Sequence, residues 1–282
     1  MADTAVDRWR ALVLARREQM DAQLAQLGGP PDDWWAGRAP SFSRSIGDLR
    51  QAPGWGLPQV VDRLERTDTV LDIGAGAGRY AVPLARVTGH VTLVEPSAAM
   101  AGEARAAFAR AGLANYTLVE RTWPGPRVTP ATAVLMANVL GPVLEIEQFL
   151  GRAVAAAERW VCIVHGSALD MGRAVERVVL AFHGAARVRQ PGLADLIPVL
   201  HELGMQPELA MGERRFGRVY ADAREAARDV AATALVEQTP AALRRVQRII
   251  AGELEAQPDG RVALAAQRVP VGLLTWRVRG AR

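Results

Sequence analysis

The run Val70-Leu71-Asp72-Ile73-Gly74-Ala75-Gly76-Ala77-Gly78-Arg79 constrains this chain more than any other segment. A short apolar stretch leads directly into three glycines spaced two apart, and a helical pattern begins at once. Glycine tolerates left-handed backbone and lets a ligand come close to the main chain. A helix that starts just beyond such a turn points unpaired N–H groups at whatever sits above it. The next apolar stretch, 91–94, ends in Glu95. An acid about twenty residues beyond the first glycine of such a turn can take both hydroxyls of a ribose. Together the turn and the acid predict a strand–turn–helix–strand unit that binds a nucleotide-like ligand.

The surrounding pattern fits that unit. Apolar runs at 69–73, 91–94, 116–119, 131–137 and 160–164 read as strands. Helical patterns at 57–66, 79–87, 97–111 and 143–157 alternate with them. Strands apolar on both faces and separated by helices indicate a parallel sheet covered on both sides. A long helix over 3–27 precedes this unit and stops at Gly28-Gly29-Pro30-Pro31. Asp32 or Asp33 could cap a short helix carrying Trp34 and Trp35. Beyond His165 the alternation loosens. Helices are expected at 170–183, 192–203, 222–236 and 240–256, with strands near 206–211 and 269–278. The expected organisation is a helical segment or lid at 1–56, a cofactor-binding core at 57–212, a helical insertion at 213–260 and closing strands at 261–282.

Two cofactor frames could use the glycine turn. The dinucleotide fingerprint G-x-G-x-x-G places its third glycine one residue later than Gly78. Asp72, inside the strand end, would also repel a pyrophosphate. A ligand carrying an amino group and a sulfonium meets no such penalty. The acid-x-Gly-x-Gly-x-Gly turn (Asp72, Gly74, Gly76, Gly78), the acid Glu95 and the Glu95-Pro96-Ser97 step with Met100 behind it resemble the class I S-adenosylmethionine-dependent methyltransferase family. The resemblance covers roughly residues 57–165. It implies a Rossmann-like, doubly wound α/β sheet of about seven strands, mostly parallel with an antiparallel last strand, carrying helical N-terminal and C-terminal cap elements.

The resemblance also assigns roles. Glu95, followed by Pro96, would hold the ribose hydroxyls of S-adenosyl-L-methionine. The turn through Gly74, Ala75, Gly76 and Gly78 would run along the methionine and ribose, with Asp72 serving the amino group. Trp123 could stack on the adenine, with Glu120 or Thr122 at its edge; equally, Trp123 could be an ordinary core or surface aromatic. Asn138 could line the methionine side or simply cap its strand. The segment Met136-Ala137-Asn138-Val139-Leu140 is not the Asn/Asp-Pro-Pro-aromatic motif of enzymes that methylate exocyclic amines of bases or glutamine side chains. Trp34, Trp35, Arg38, Phe42 and Arg44 could wall the substrate site, with Arg38 or Arg44 taking the methionine carboxylate through a guanidinium fork. The alternative for the tryptophans is a staple between the N-terminal helix and the sheet. His165 ends the fifth strand, where ligands of open α/β sheets sit. It reads either as a general base or as a core or capping histidine.

Composition narrows the chemistry. Half of the 282 residues are hydrophobic and 23% are charged, values typical of a globular chain. All 34 basic residues are arginine. Without lysine, Schiff-base chemistry and a P-loop lysine are excluded. One cysteine, Cys162, permits no intrachain disulfide, and four scattered histidines give no zinc pattern, so no metal is expected. Asp3, Asp7 and Arg8 stand where a secretory leader would need an apolar run, and no stretch is long enough for a membrane helix. The expectation is a cytoplasmic methyltransferase acting on a small or medium organic acceptor. The arginines, spread over helix faces without interleaved aromatics, disfavour nucleic acid. The competing readings are a non-catalytic methyltransferase-like partner or regulatory subunit, an RNA or protein methyltransferase, and a nicotinamide dehydrogenase, which the glycine spacing disfavours.

Overall fold

The computed structural model describes residues 3–46, 54–125, 127–166, 172–216, 218–265 and 267–278; the side chains of residues 41, 44–46, 215–216 and 267 are also outside the description. The Arg44 side chain, expected at the substrate site, therefore lies outside the description. The chain begins with α1 (Ala5–Ala25), α2 (Ala39–Ile46) and α3 (Leu57–Val61). The alternating unit follows: β1 (Thr69–Ile73), α4 (Ala81–Ala85), β2 (His90–Val94), α5 (Ala98–Ala111), β3 (Tyr116–Val119) and β4 (Ala131–Ala137). Next come α6 (Ile146–Ala155), β5 (Ala157–Gly166), α7 (Arg173–His183), α8 (Leu193–Glu202) and β6 (Glu208–Phe216). The chain continues through β7 (Val219–Tyr220), α9 (Ala223–Thr233), α10 (Pro240–Ile250), β8 (Leu254–Ala256), β9 (Val262–Leu264) and β10 (Gln267–Arg277).

Seven strands form one sheet in the order β3-β2-β1-β4-β5-β10-β6. Strands β1 to β5 pair in parallel, while β10 runs antiparallel to both β5 and β6. This is the Rossmann-like, doubly wound arrangement with an antiparallel final strand. Because side chains alternate across a strand, the sheet divides its apolar residues between two faces. Leu71, Ile73, Val134, Met136 and Ile163 face one side, packed with Trp9 of α1, Leu150 of α6 and Leu196 of α8. Val70, Leu93, Leu135, Cys162 and Leu273 face the other, under Leu57, Leu84 and Phe108. Trp9 is fully buried, and its indole N–H donates to the Val143 carbonyl at 2.8 Å. The order reverses between β1 and β4, so the carboxyl ends of these strands open a crevice where ligands of such sheets bind.

Several boundaries differ from the periodicity. Helix α4 is only Ala81–Ala85, because Gly78 to Tyr80 form a turn before it. Helix α10 stops at Ile250, and a 3₁₀ turn over Ala251–Glu253 leads from it into β8. Strand β6 extends to Phe216 and β10 starts at Gln267. Between them, β7, β9 and β8 form a separate three-stranded sheet. With α7, α9 and α10 that sheet encloses a second core built on Val178, Tyr220, Val230, Val246 and Ile250. Strands of two or three residues carry too little periodicity to read, and the partner of β7 lies far along the chain in β9. The residues around Trp34 and Trp35 form turns instead of a helix, and α2 begins after them.

Candidate functional site

The crevice is built around the glycine turn. Gly74, Gly76 and Gly78 have φ of 72°, 55° and 82°, the left-handed region that favours glycine. The Gly74 N–H donates to the Val94 carbonyl at 2.8 Å, so the end of β2 fixes the turn. A Cβ on Gly74 would lie 2.4 Å from Val139 Cγ2, so this glycine lets the loop after β4 close against the turn. A Cβ on Gly76 would meet nothing within 4 Å. That face of the turn is open, and it is where a ligand can touch the main chain.

Glu95 leaves the end of β2 and folds back over the turn. Gly76 N–H donates to its Oε2 at 2.8 Å, and Ser97 N–H to its Oε1 at 2.9 Å. Burial pushes this carboxyl above the usual range, against the pull of those two N–H groups, and Asp33 nearby pushes the same way. Each carboxylate oxygen retains lone-pair capacity for a further donor. Exposed Pro96, between Glu95 and Ser97, has no N–H and fixes the backbone at this step. Ser97 caps α5 by accepting from Met100 N–H at 3.1 Å.

Asp72 is 1% exposed, and its Oδ2 has no hydrogen-bond partner. Burial, and then the neighbouring Glu95, raise its carboxyl to about 7. Asn138 follows β4 in the left-handed region at φ 56°, with its N–H donating to the Val164 carbonyl at 2.8 Å. Its Oδ1 is buried without a partner. His165, one strand over, is 1% exposed; Nε2 faces the Pro191 carbonyl at 3.3 Å and Nδ1 has no partner. Burial lowers its basicity to about 4. His165 therefore enters the structure as a neutral, buried imidazole beneath Trp9, whose ring centroid is 6.3 Å away.

The segment before α2 is strapped to this crevice. Asp33 Oδ2 accepts from Ser97 Oγ at 2.9 Å and from Ala99 N–H at 3.2 Å, and its Oδ1 accepts from Trp35 N–H at 2.8 Å. Its carboxylate thus sits at the N-terminus of α5, where helix N–H groups favour negative charge. Trp35 and Phe42 contact each other at 5.1 Å and pack with Ala39 on Ala77 and Met100. Arg38 lies over the Trp34 ring at 3.8 Å and donates to the Ala232 carbonyl of α9 at 2.6 Å. The strap therefore joins the cofactor side of the sheet to the inserted helices. Sequence reasoning gave Asp33 a local capping role, because its partners lie more than sixty residues further on.

The segment after β3 is arranged differently from the expectation. Trp123 is 7% exposed and packs in the core with Val94, Met136 and Phe149. Its indole N–H donates to the Phe149 carbonyl at 3.2 Å. A ring held this way offers almost no face for an adenine to stack on, and the stacking role is withdrawn. Glu120 is exposed and paired with Arg105, and Thr122 is exposed. The structure thus gathers Asp72, the glycine turn, Glu95 and Asn138 around one crevice, with the strap alongside, and sets Trp123 beneath it. Among the described residues no helix is long and apolar enough to cross a membrane, and no cluster of histidine, cysteine or carboxylates could hold a metal.

The chain is similar to known proteins. Residues 70–158 match the family model described as a methyltransferase domain. A protein-L-isoaspartate O-methyltransferase of Methanoregula boonei is 31% identical over 49% of this chain and 62% of its own length. A 23S rRNA (uracil(1939)-C(5))-methyltransferase of Marinomonas posidonica is 29% identical over 53% of this chain and 33% of its own. The chain therefore spans less than two thirds of these relatives. A SAM-dependent methyltransferase from Geobacter sulfurreducens, solved with S-adenosyl-L-homocysteine, superposes with a TM-score of 0.52 at 14% identity, covering 84% of this chain and 96% of that one. A magnesium protoporphyrin IX methyltransferase from Synechocystis, solved with the same ligand, gives 0.51 at 20% identity over 65% and 91%. These structural likenesses establish the fold, and the sheet order, the glycine turn and the matched segment agree. Residues 70–158 thus match a methyltransferase domain, and the fold is that of S-adenosylmethionine-dependent methyltransferases.

Proposed function

We propose that the protein transfers the methyl group of S-adenosyl-L-methionine to a small or medium organic acceptor. The observation that carries this reading is the pair of carboxyls at the glycine turn: Asp72 with an orphaned Oδ2 and Glu95 over the turn, beside the open face at Gly76. A cationic ligand rich in N–H and O–H donors fits such a lining, and a pyrophosphate does not. In this reading Glu95 accepts the ribose hydroxyls, and the 74–78 turn runs along the methionine and ribose. Asp72 serves the ammonium, and Asn138 closes the methionine side. Bound there, the cofactor supplies a methyl on a sulfonium, a leaving group that needs no activation. The protein's own task is to hold the acceptor in line and to exclude water.

The strap supports the size of the acceptor. Trp35 and Phe42 border the cofactor side, and Arg38, stacked on Trp34, ties that wall to α9. A wall anchored at both ends suits a compact acceptor better than a polymer. The named activities of the curated relatives keep protein and RNA acceptors as the second reading. Calorimetry with S-adenosyl-L-homocysteine tests the cofactor assignment, with Glu95→Ala and Gly76→Val as controls. Absence of heat with the intact protein refutes it. Tritium from methyl-labelled cofactor, partitioned between small-molecule and macromolecular fractions of a cell extract, tests the acceptor class. Label confined to protein or RNA refutes the small-acceptor reading.

A further inference from the structure

Strand β6 ends the seven-stranded sheet on the side away from β3, with β10 as its neighbour. Its outer edge carries no strand among the described residues. Glu208, Leu209, Ala210, Met211 and Glu213 are all exposed, Leu209 at 44% and Met211 at 55%. An uncovered strand edge is a template for another strand, and folds guard it with proline, lysine or a bulge. The β6–β10 register runs unbroken, β6 holds no proline, and the chain has no lysine.

The backbone fixes which groups of β6 point outward. Just past β10, Val278 N–H donates to the Arg159 carbonyl of β5. Hydrogen-bonded and non-hydrogen-bonded positions alternate along an antiparallel ladder. Even-numbered residues of β10 therefore turn their N–H and C=O away from β6, and odd-numbered ones toward it. Pro270, with no N–H to offer, falls in the first set. In the second set Val269, Val271, Leu273 and Thr275 pair with Arg214, Gly212, Ala210 and Glu208. Those four residues of β6 commit their main-chain groups to β10. Leu209, Met211 and Glu213 point theirs outward.

The side chains sort with the same alternation. Glu208, Ala210, Gly212 and Arg214 share the face on which Gly212 approaches Trp55. Leu209, Met211 and Glu213 share the other, where Leu209 and Leu193 of α8 meet over Gly272. A second β6, antiparallel and centred on Met211, sets outward residues against outward residues: Leu209 against Glu213, and Met211 against its own counterpart. Glu208 then stands opposite Arg214 at both ends, with the small residues Ala210 and Gly212 opposed between them. On the other face Met211 meets Met211 with Leu209 on the diagonal, so the two exposed apolar side chains cover each other. Moving the centre to Ala210 or Gly212 keeps the backbone in phase but loses both ion pairs. Within one chain Glu208 has Arg63 at 3.6 Å and is otherwise in water. Arg214 is half-buried beside Arg79, and burial and then that like charge lower its basicity. A carboxylate from a second copy offsets that repulsion.

We propose that β6 is a self-association edge, through which two copies of this chain pair antiparallel over Glu208–Arg214 about a two-fold axis at Met211. The contact is isologous, so it closes at two copies. One strand pair is smaller than a standard interface, so association is expected in the micromolar range. Strands β4, β5 and β10 separate β6 from β1, so pairing leaves the glycine turn uncovered.

Sedimentation velocity from about 1 to about 100 µM measures the association, with circular dichroism melting as the check on folding of each variant. Wild type is expected to show a monomer–dimer equilibrium. Met211→Pro removes an outward N–H and leaves the β10 ladder intact, and it should abolish the dimer. Glu208→Arg and Arg214→Glu each set like charges opposite one another, and each should weaken association roughly 10-fold. The double reversal restores opposite charges and should recover most of the wild-type affinity, a rescue that general damage to the fold cannot imitate. If Arg214→Glu does not fold, Glu208→Arg is compared with Glu208→Gln, and arginine should weaken the dimer more than glutamine. A protein still monomeric at about 100 µM overturns the proposal. So does a dimer unchanged by Met211→Pro, a double reversal that rescues nothing, or a monomer whose β6 edge pairs instead with a strand of a different protein. The methyltransferase reading is tested separately by cofactor binding and stands or falls without this edge.

Discussion

Asp72→Asn should make the cofactor-free protein more stable and the cofactor-bound protein weaker. Burial and Glu95 raise the Asp72 carboxyl from 3.8 to about 7, so the folded state holds this proton more tightly than the unfolded chain does. A raised folded value means that the stabilising contribution is complete below the unfolded value and is lost as pH climbs through about 7. A shift of about three units, at about 1.36 kcal/mol each, corresponds to about 4 kcal/mol of stability forfeited by the ionised form. Asparagine keeps the shape and removes the charge, so at a pH of about 8 the variant should recover most of that amount. For a chain of this size about 1 kcal/mol moves Tm by roughly 2–4 °C, so the cofactor-free variant should melt roughly 10 °C higher. The ligand's ammonium favours the ionised carboxylate. Affinity for S-adenosyl-L-homocysteine should therefore improve roughly tenfold per pH unit below about 7 and level off above it. Calorimetry across that range, with scanning calorimetry of both proteins, measures the two effects. A variant no more stable than wild type under alkaline conditions, or a pH-independent affinity, refutes the argument.

Four further outcomes separate the parts of the site. Gly76→Ala places a side chain in left-handed backbone at a cost of about 1 kcal/mol, yet its Cβ projects into open space; calorimetry should show ligand affinity falling far more than Tm. Gly74→Ala instead drives a Cβ into Val139, so melting temperature and ligand affinity should fall together. Asp33→Ala removes the carboxylate that caps α5 and holds Trp35, so stability should drop by about 1 kcal/mol and limited proteolysis should cut near residues 30–38 faster than in wild type. Trp123→Phe deletes the indole donor to Phe149, so denaturant unfolding should report a loss of about 1 kcal/mol, with affinity for S-adenosyl-L-homocysteine unchanged.

The parts of this site that were legible in the sequence are those whose geometry is set within one strand–turn–helix unit. Asp72, the three glycines and Glu95 occupy fixed steps of β1, its turn and the end of β2. Their mutual placement follows once β1 and β2 pair in parallel. Trp123 marks where that logic stops. Its position after β3 leaves an adenine platform and an ordinary core or surface aromatic both open; α6, more than twenty residues on, decides for the core by supplying both the apolar cover and the carbonyl that its indole needs. Asp33 shows the same limit from the other side. It does accept from Trp35 N–H as a local cap would, yet its second oxygen crosses to Ser97 and Ala99. The small sheet of β7, β9 and β8 was invisible for a related reason: its two- and three-residue strands are specified by the second core around Tyr220 and Val246 more than by their own alternation.

The charge distribution runs against the composition. A chain with net charge +4, all of its basic residues arginine, concentrates carboxylates at the glycine turn. Glu95 helps raise Asp72, and Asp33 helps raise Glu95, after burial has already acted on both. The three acids thus oppose one another in the cofactor-free fold, relieved in part by the N–H groups of Gly76, Ser97, Ala99 and Trp35. A ligand carrying positive charge and several donors removes that opposition when it binds. The strain held in the empty crevice then becomes ligand affinity, and binding raises stability by mass action. For this reason Asp72→Asn is expected to gain stability and lose affinity together. The same reasoning separates Asp33 from Asp72: Asp33 is already satisfied by α5 and Trp35, so its loss weakens the fold instead of relieving it.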